Sequence, residues 1–383
     1  MKMKEKIISF VMHNKFLYSS YYYVLSSLLR LIKFFVRPDD HLVLFVSFGG
    51  RFYNDSPKCL YEAMKKDPRF RDYRFVWAFR SPREFPEVEN RVRIDTIRYF
   101  IIALKARCWI TNNQIERGLD FKGKNTFYLN TTHTVLPKLT ASRINKDITF
   151  TSKATSKCDC YTVQSEYERT VLGGDENRIK VVGYPKSDIL ANYTDSYRQS
   201  LRKKLDLPNN KTVILYAPTF REGSLRDIAI PVDFSKWRFI LGEEYIVLFR
   251  AHPVVALKVK IDEDSSFVRD VSSYPDNNEL IIASDILISD YSGIFFEFGV
   301  QSKPMFVYAY DYEEYNKTRG LYFDIRQELP GGGLNEEELL LLIRDGDKTE
   351  IMQKVEEFRQ KYITAYGHAT ELSLDIIYDH LCQ

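Results

Sequence analysis

Short apolar strands alternate with helices along most of the chain, and this alternation constrains the fold more than any other feature. After the first 38 residues, a strand pattern at Leu42–Phe48 is followed by a helical pattern at Ser56–Lys66 and a strand pattern at Tyr73–Phe79. The series continues with a helix at Ile97–Ala106 and strands at Cys108–Asn112, Asn125–Asn130 and Cys160–Ser165. Strands joined through helices lie parallel, and helices cover both faces of the sheet. The sequence therefore predicts an α/β fold with parallel sheets.

A polar, turn-rich stretch at Gly183–Lys211 interrupts the alternation, which then starts again. The second series has strand patterns at Val213–Pro218, Tyr245–Pro253, Asp285–Ser289 and Pro304–Ala309, and helical patterns over Glu336–Leu381. Two series joined once predict two doubly wound, Rossmann-like domains that face each other across a cleft, at residues 39–190 and 191–345. The helices of residues 346–383 are expected to pack back on the first domain.

The first 38 residues form a segment of different character. They contain seven Lys and Arg residues against one acidic residue, Glu5, and many aromatic residues. The longest stretch without charge, Phe16–Leu29, has 14 residues and four serines, so it is too short and too polar to cross a bilayer. Two interpretations stay open: an amphipathic helix lying on an anionic membrane surface, and a helix packed on the protein's own core. The number of adjacent apolar residues favours the membrane.

The overall composition excludes some classes of partner. With 55 Lys and Arg residues against 52 Asp and Glu residues, the net charge of +3 is not that of a nucleic-acid-binding protein. The five cysteines are scattered, and Cys158 and Cys160 have no second pair with which to form a zinc site. This usage is typical of a reduced, cytoplasmic protein. We predict neither a metal site nor a cofactor.

The stretch Ser289–Gly293 stands at the seam between a predicted strand and a predicted helix. This stretch contains Asp290, Ser292 and Gly293. The first N–H groups of the helix then point beyond the sheet edge, where they are available to bind an anion. An ordinary helix cap is the alternative interpretation. Glu297 lies seven residues, or two helical turns, after Asp290. Both carboxylates are therefore expected to contact one ligand, as the hydroxyls of a ribose require.

Polar clusters also follow the other predicted strands. Arg250 and His252 can hold phosphate oxygens, the first by its forked guanidinium and the second as donor or cation. The remaining candidates for substrate binding are Thr219 and Arg221 in the second series, and Gly49, Gly50, Arg51 and Asn112 in the first. Because the carboxyl ends of parallel strands meet at one edge, these residues are expected to converge on the cleft.

Two of the six histidines, His133 and His252, stand at strand ends in opposite halves of the chain. A reaction that spans a cleft needs groups in these places, and histidine titrates near neutral pH. A structural role for each histidine is the alternative interpretation.

Several stretches together resemble the CDP-glycerol glycerophosphotransferases of teichoic acid synthesis, which have the GT-B architecture. In chain order they are SFGGRFYNDSPKCLYE, ARCWITNN, VGYPKSD, ILYAPTFRE, FRAHP, ASDILISDYSGIFFEF, KPMFVYAYD and RGLYFDIRQELPG. Each stretch alone is common, but their order is specific, and they cover nearly all of the chain after about residue 38.

The resemblance implies roles for particular residues. His133 matches the family's catalytic base, while the tryptophan and glycine that flank it in the family are Thr132 and Thr134 here. His252 matches the histidine that contacts the donor phosphates. The stretch Asp290–Gly293 matches an Asp-Tyr-Ser-Ser turn, with glycine in place of the last serine.

The implied reaction is transfer of glycerol phosphate from CDP-glycerol to a hydroxyl of a lipid-linked polyprenyl acceptor, with release of CMP. Arg250, His252 and the helix start at Ser292 are expected to hold the charge that develops on phosphorus. The implied location is peripheral, on the cytoplasmic face of the bacterial plasma membrane. The alternatives are transfer of ribitol phosphate or another polyol phosphate for a wall or capsule polymer, a GT-B enzyme that uses a UDP-sugar, and a binding module without catalysis. No oligomeric state is predicted.

Overall fold

The structure is a computed structural model, and it describes residues 14–133, 157–173, 175–219, 221, 232–251 and 266–382. Its strands are β1 (Asp39–Val46), β2 (Arg74–Phe79), β3 (Arg91–Arg93), β4 (Ala106–Thr111), β5 (Phe127–Asn130), β6 (Cys160–Val163), β7 (Ile179–Val181), β8 (Thr212–Tyr216), β9 (Tyr245–Phe249), β10 (Val268–Asp270), β11 (Ile286–Ser289) and β12 (Met305–Val307).

Its helices are α1 (Lys15–Lys33), α2 (Asp55–Met64), α3 (Ile97–Lys105), α4 (Glu166–Leu172), α5 (Asp188–Asn192), α6 (Asp195–Lys204), α7 (Phe234–Leu241), α8 (Asn277–Ala283), α9 (Ile294–Phe298), α10 (Tyr312–Arg319), α11 (Ile325–Glu328), α12 (Glu336–Asp345), α13 (Lys348–Tyr362) and α14 (Ala369–Leu381). Short 3-10 turns lie at Pro68–Phe70, Pro82–Glu84, Glu176–Arg178, Pro185–Ser187 and Gly299–Gln301.

Two parallel sheets organise the fold. Seven strands form the first, in the order β3-β2-β1-β4-β5-β6-β7, and five form the second, in the order β10-β9-β8-β11-β12. The strand order reverses between β1 and β4, and again between β8 and β11. Such reversals open a crevice at the carboxyl ends of the strands, where ligands of open α/β sheets bind. The predicted α/β class with parallel sheets is confirmed.

All nine predicted strands coincide with strands of the structure, with bounds that shift by a few residues. The sequence did not predict β3, β7 and β10, which have three residues each and lie at sheet edges. Three residues are too few to display an alternating or continuous apolar pattern.

Neighbouring residues of a strand point to opposite faces of the sheet. Because apolar residues lie on both faces here, helices cover both faces of each sheet. For the first sheet, the two buried clusters include Leu44, Val46, Leu29 and Tyr99 on one face, and Val43, Phe45, Leu60 and Ile377 on the other. For the second, they include Val213, Leu215, Leu280 and Phe358, and Ile214, Tyr216, Trp237 and Leu340. Each fully buried apolar side chain of this size contributes about 1.5–3 kcal/mol to folding.

Helix α1 has two apolar faces. Its inner face packs on the first sheet through Leu29, which is 7% exposed, and Ser26 accepts a hydrogen bond from the backbone N–H of Asp120 at 2.9 Å. Its outer face and the turn after it leave large side chains in solvent, among them Val24, Leu31, Phe34 and Phe35. Packing on the protein's own core therefore accounts for only one of the two faces. Residues 1–13 of the predicted basic segment lie outside the described residues.

Within the described ranges, no helix combines the length and the apolar character needed to cross a bilayer.

The C-terminal helices lie where helical patterns were predicted, but they pack on both sheets and not on the first alone. Helix α13 packs on the second sheet through Phe358, and α14 packs on the first through Ile377. Between them, the backbone N–H groups of Thr364 and Ala365 donate to the carbonyl of Gln164, at 3.2 and 3.0 Å.

Candidate active site

A tight turn follows β1 at the carboxyl edge of the first sheet. Phe48, Gly49 and Gly50 all have positive φ, at 43°, 62° and 79°. A Cβ atom on Gly50 would lie 3.1 Å from the carbonyl oxygen of Ala78 and 3.2 Å from the backbone nitrogen of Arg80. Gly50 therefore adopts a left-handed conformation and lies close to the loop after β2, and both features favour glycine at this position.

Asn112, at the end of β4, connects this turn to His133. Its Oδ1 accepts a hydrogen bond from the backbone N–H of Phe48 at 2.8 Å, and its carbonyl oxygen lies 3.3 Å from Nδ1 of His133. The Phe48 ring packs edge-on against the imidazole, with 5.5 Å between centroids. The buried Nδ2 of Asn112 has no hydrogen-bond partner among the described residues. Two sequence-predicted residues, Asn112 and His133, thus lie together.

The contact with Asn112 defines which nitrogen of His133 can act as a base. A carbonyl oxygen only accepts, so the hydrogen bond requires the imidazole proton on Nδ1. The Nε2 lone pair is then left to accept a proton from another group.

Lys186, which sequence reasoning missed, joins His133 to both sheets. Its Nζ lies 3.2 Å from Asp55 Oδ2 at the start of α2 and 2.8 Å from Glu297 Oε1 in α9, and it donates to the backbone carbonyl of His133. Burial acts to lower the pKa of Lys186, but the two carboxylates outweigh it and the net shift is upward. The lysine is therefore charged. Its motif, VGYPKSD, was the only signal in the sequence, because one lysine in a turn has no spacing pattern.

The charge of Lys186 acts on the imidazole as well. The His133 side chain reaches solvent but has protein on most sides, and this burial lowers its pKa; the Lys186 cation lowers it further. Asp55 and Glu297 oppose the shift without cancelling it. His133 is consequently neutral at neutral pH, the state that a general base requires.

Asp290 and Glu297 take part in different networks. Asp290 is buried and accepts from the backbone N–H groups of Thr219, at 2.9 and 3.1 Å, and of Tyr291, at 2.7 Å. Glu297 binds Lys186 and accepts from Asn277 Nδ2 at 2.9 Å. Helix α9 begins only at Ile294, so the helical spacing expected between the two carboxylates does not apply.

Arg221 supports the same part of the second sheet. It forms two hydrogen bonds with Asp311, at 2.6 and 2.8 Å, and an ion pair with Asp290 at 2.9 Å. Its guanidinium also lies 5.0 Å from the ring centroid of Tyr315. Arg221 and Asp290 therefore bind each other and support the fold. The buried Oγ1 of Thr219 has no hydrogen-bond partner in the described part of the chain.

The seam after β11 is a cap over a short buried helix. Ser292 Oγ accepts from the backbone N–H of Ile294 at 3.3 Å, and Gly293 is the N-cap with an ordinary φ of −65°. Helix α9 has five residues, and Ile294, Phe295, Phe296 and Phe298 are buried. The helix predicted after the seam is therefore present, but it is short and the protein interior surrounds it.

Arg250, after β9, is held by carbonyl groups in the part of the chain that the structure describes. Its Nη1 donates to the carbonyls of Val271, at 3.1 Å, and Tyr274, at 3.0 Å, and no carboxylate of a described residue is within ion-pair distance of it. Burial lowers the pKa of Arg250, and the more distant Glu297 and Asp276 oppose this. Carbonyl groups do not neutralise a guanidinium, so this partly buried side chain is suited to bind an anion. His252 lies outside the described residues, and among the described ones no group of His, Cys, Asp or Glu has the arrangement of metal ligands.

Comparisons with known proteins identify the family to which the chain is similar. Residues 28–371 match the model of the family CDP-Glycerol:Poly(glycerophosphate) glycerophosphotransferase. The teichoic acid glycerol-phosphate transferase of Staphylococcus aureus is 30% identical over 354 residues, which cover 86% of this chain and 87% of that protein. The teichoic acid poly(glycerol phosphate) polymerase of Staphylococcus epidermidis is 29% identical over 367 residues; these are 88% of this chain but only 50% of the relative's length.

A solved structure is similar over nearly its whole length. The wall teichoic acid polymerase TagF superposes with a TM-score of 0.81 at 28% identity, covering 97% of this chain and 98% of that one. A histidine-to-asparagine variant of TagF, soaked with CDPG, gives a TM-score of 0.80 at 28% identity, with 93% of each chain covered. The family match and these similarities confirm the sequence prediction: the chain belongs to the CDP-glycerol:poly(glycerophosphate) glycerophosphotransferase family.

Proposed function

We propose that the chain transfers glycerol phosphate from CDP-glycerol to a hydroxyl of a lipid-linked acceptor in teichoic acid synthesis and releases CMP. The observation that carries this proposal is the position of His133. It lies at the carboxyl edge of the first sheet and is tied through Lys186 to Glu297 beside the second. Family membership and the CDPG soak of the TagF variant support the choice of donor.

His133 acts as the general base. As the acceptor oxygen attacks the phosphorus of the glycerol phosphate group, Nε2 takes the hydroxyl proton, and the bond to CMP breaks with its electron pair on the CMP oxygen. The hydrogen bond between Nδ1 and Asn112 holds the ring in the necessary tautomer. The lowered pKa of His133, caused by burial and by Lys186, keeps Nε2 unprotonated before the reaction.

The donor phosphates bind at the carboxyl edge of the second sheet. Arg250, which donates to two carbonyl groups, and His252 two residues later hold the phosphate oxygens, and Ser292 and Gly293 line the same edge. Preorganised positive groups of this kind stabilise the charge that develops in phosphoryl transfer. Asp290 and Arg221 contribute by holding the loop of Thr219 in place.

The two sheets are the cores of two Rossmann-like domains of the GT-B architecture, at residues 39–190 and 191–345. Of the helices of 346–383, α14 packs back on the first domain, while α13 packs on the second. The protein is peripheral and lies on the anionic cytoplasmic face of the plasma membrane. The exposed apolar residues along α1 and after it, including Phe34 at 86% and Phe35 at 83% exposure, provide the contact.

The test is release of nucleotide by the purified protein with a lipid-linked acceptor. CDP-glycerol, CDP-ribitol and UDP-sugars are supplied in separate reactions. We expect acceptor-dependent CMP release from CDP-glycerol. Release from CDP-ribitol alone, or of UDP from a UDP-sugar, would replace the proposed donor, and no release from any of them would favour a binding module.

A further inference from the structure

Three arginines come together at the carboxyl edge of the first sheet, away from the donor residues. Arg51 follows β1, Arg80 follows β2 and Arg117 lies in the loop after β4, while Asp95 follows β3. These four strands are neighbours in the sheet, so their loops meet around the turn at Gly49.

Arg80 and Arg117 flank one point of this turn. Arg80 Nε donates to the carbonyl of Gly49 at 3.2 Å. A Cβ atom on Gly49 would lie 3.7 Å from Arg117 Nη1 and 3.9 Å from Arg80 Nη2. Two guanidinium groups therefore flank the same small space, and glycine leaves it open.

The positive charge of this group is only partly compensated. Asp95 binds Arg117 through two hydrogen bonds, at 2.7 and 3.0 Å, and it is the carboxylate that acts on Arg80. Partial burial lowers the pKa of Arg80, and the neighbouring charges of Arg51 and Arg117 lower it further. An anion bound between these like charges would offset their mutual repulsion.

The group adjoins the proposed base. Phe48 directly precedes Gly49, and its ring contacts the His133 imidazole at 5.5 Å between centroids. A group bound at the turn of Gly49 would therefore lie next to a residue that contacts the proposed base. A phosphate near the attacking hydroxyl matches the forked guanidinium groups in charge and geometry.

We propose that Arg51, Arg80 and Arg117 bind an anionic phosphate ester group of the acceptor, close to the hydroxyl that attacks the donor. The proposal rests on the proposed function, and it adds that the acceptor is recognised by negative charge on the first sheet. A growing polyol phosphate chain and a lipid diphosphate both present such a group.

The experiment compares two soluble acceptors, a short glycerol phosphate oligomer and its methyl phosphotriester analogue, which lacks the negative charges. R80Q and R51Q are assayed beside R71Q, a control at an arginine whose side chain is 80% exposed. We expect R80Q to raise the KM for the anionic oligomer about ten- to a hundredfold, the usual effect of losing one or two charge-assisted hydrogen bonds. R51Q shifts the same KM in the same direction. The KM for CDP-glycerol and the use of the neutral analogue stay unchanged.

Three results would overturn the assignment. The first is an unchanged acceptor KM in both R80Q and R51Q. The second is a raised KM for CDP-glycerol alone, which would give the cluster to the donor. The third is lost binding to phosphatidylglycerol vesicles with an unchanged acceptor KM, which would identify a lipid headgroup as the ligand.

Calorimetry with the oligomer separates this proposal from the proposed function. If the wild-type protein releases no CMP but binds the anionic oligomer more tightly than the neutral analogue, and R80Q loses that preference, the cluster stands and the proposed function fails. If R80Q unfolds at a lower temperature than the wild type, R51Q decides the outcome, since the Arg51 side chain is exposed.

Discussion

Lys186 Nζ lies 2.8 Å from Glu297 Oε1, and this ion pair joins the turn that carries Lys186 to helix α9 beside the second sheet. The same ammonium group binds Asp55 and the backbone carbonyl of His133. One cation, whose side chain is 13% exposed, thus connects the candidate base to both halves of the molecule.

Replacing Lys186 with Met is expected to shift the pH dependence of turnover. Lys186 lowers the pKa of His133, so its loss raises that pKa and activity falls off at a higher pH on the acidic side. The variant also leaves the carboxylates of Asp55 and Glu297, whose side chains are 7% and 14% exposed, without their cation, which costs about 3–5 kcal/mol of unfolding free energy. Rate profiles and urea unfolding measure the two effects.

The control is K361M, which breaks an exposed ion pair with Glu328. It should change stability by about 1 kcal/mol or less and leave the pH profile unaltered. An unshifted acidic limb in K186M would show that Lys186 does not act on the base.

Replacing Asp290 with Asn is expected to destabilise the fold. Its carboxylate accepts from the backbone N–H of Thr219 and pairs with Arg221, and removing the charge leaves that arginine short of a partner. The expected loss is about 2–4 kcal/mol, measured by urea unfolding. D72N, at a residue with 75% side-chain exposure, is the control. Full stability with weaker CDP-glycerol binding would instead make Asp290 a direct ligand.

Replacing Arg250 with Gln is expected to lower turnover of CDP-glycerol by about a hundredfold or more, because a preorganised charge at the donor phosphates is lost. The guanidinium bonds to the Val271 and Tyr274 carbonyls are lost as well, so unfolding of R250Q must be measured beside its kinetics. R250K keeps the charge without the fork and should recover part of the rate. Wild-type turnover in R250Q would remove this residue from the site.

Membrane binding is tested by point variants on the two faces of the N-terminal region. The double variant F34S/F35S changes two exposed side chains and should weaken binding to anionic vesicles at least about tenfold with unchanged stability. L29A changes a buried residue and should cost about 2 kcal/mol or more of unfolding free energy. Unchanged vesicle sedimentation of the double variant would place the membrane contact elsewhere.

The sheets could be predicted from the sequence because their central strands are long apolar runs. It was insufficient for the Lys186 network, whose partners Lys186 and Glu297 are 111 residues apart and meet only when both sheets are in place. Polar residues at strand ends correctly indicated Asn112, His133 and Arg250 as neighbours of the carboxyl edges. Strand-end position does not, however, separate a side chain that faces a ligand from one, such as Asp290, that the fold itself uses.

The most direct test of the account is CDP-glycerol binding by calorimetry beside CMP release for H133A and H133N. The Ala variant keeps the backbone carbonyl that Lys186 binds, so the network between the sheets is retained. We predict that both variants lose transfer, because neither alanine nor an amide accepts the hydroxyl proton, while donor affinity stays within about threefold of the wild type. In the wild type, transfer should decline only as the pH falls through a His133 pKa below its ordinary value. Undiminished CMP release by H133A in the presence of acceptor would contradict the assignment of His133 as the base.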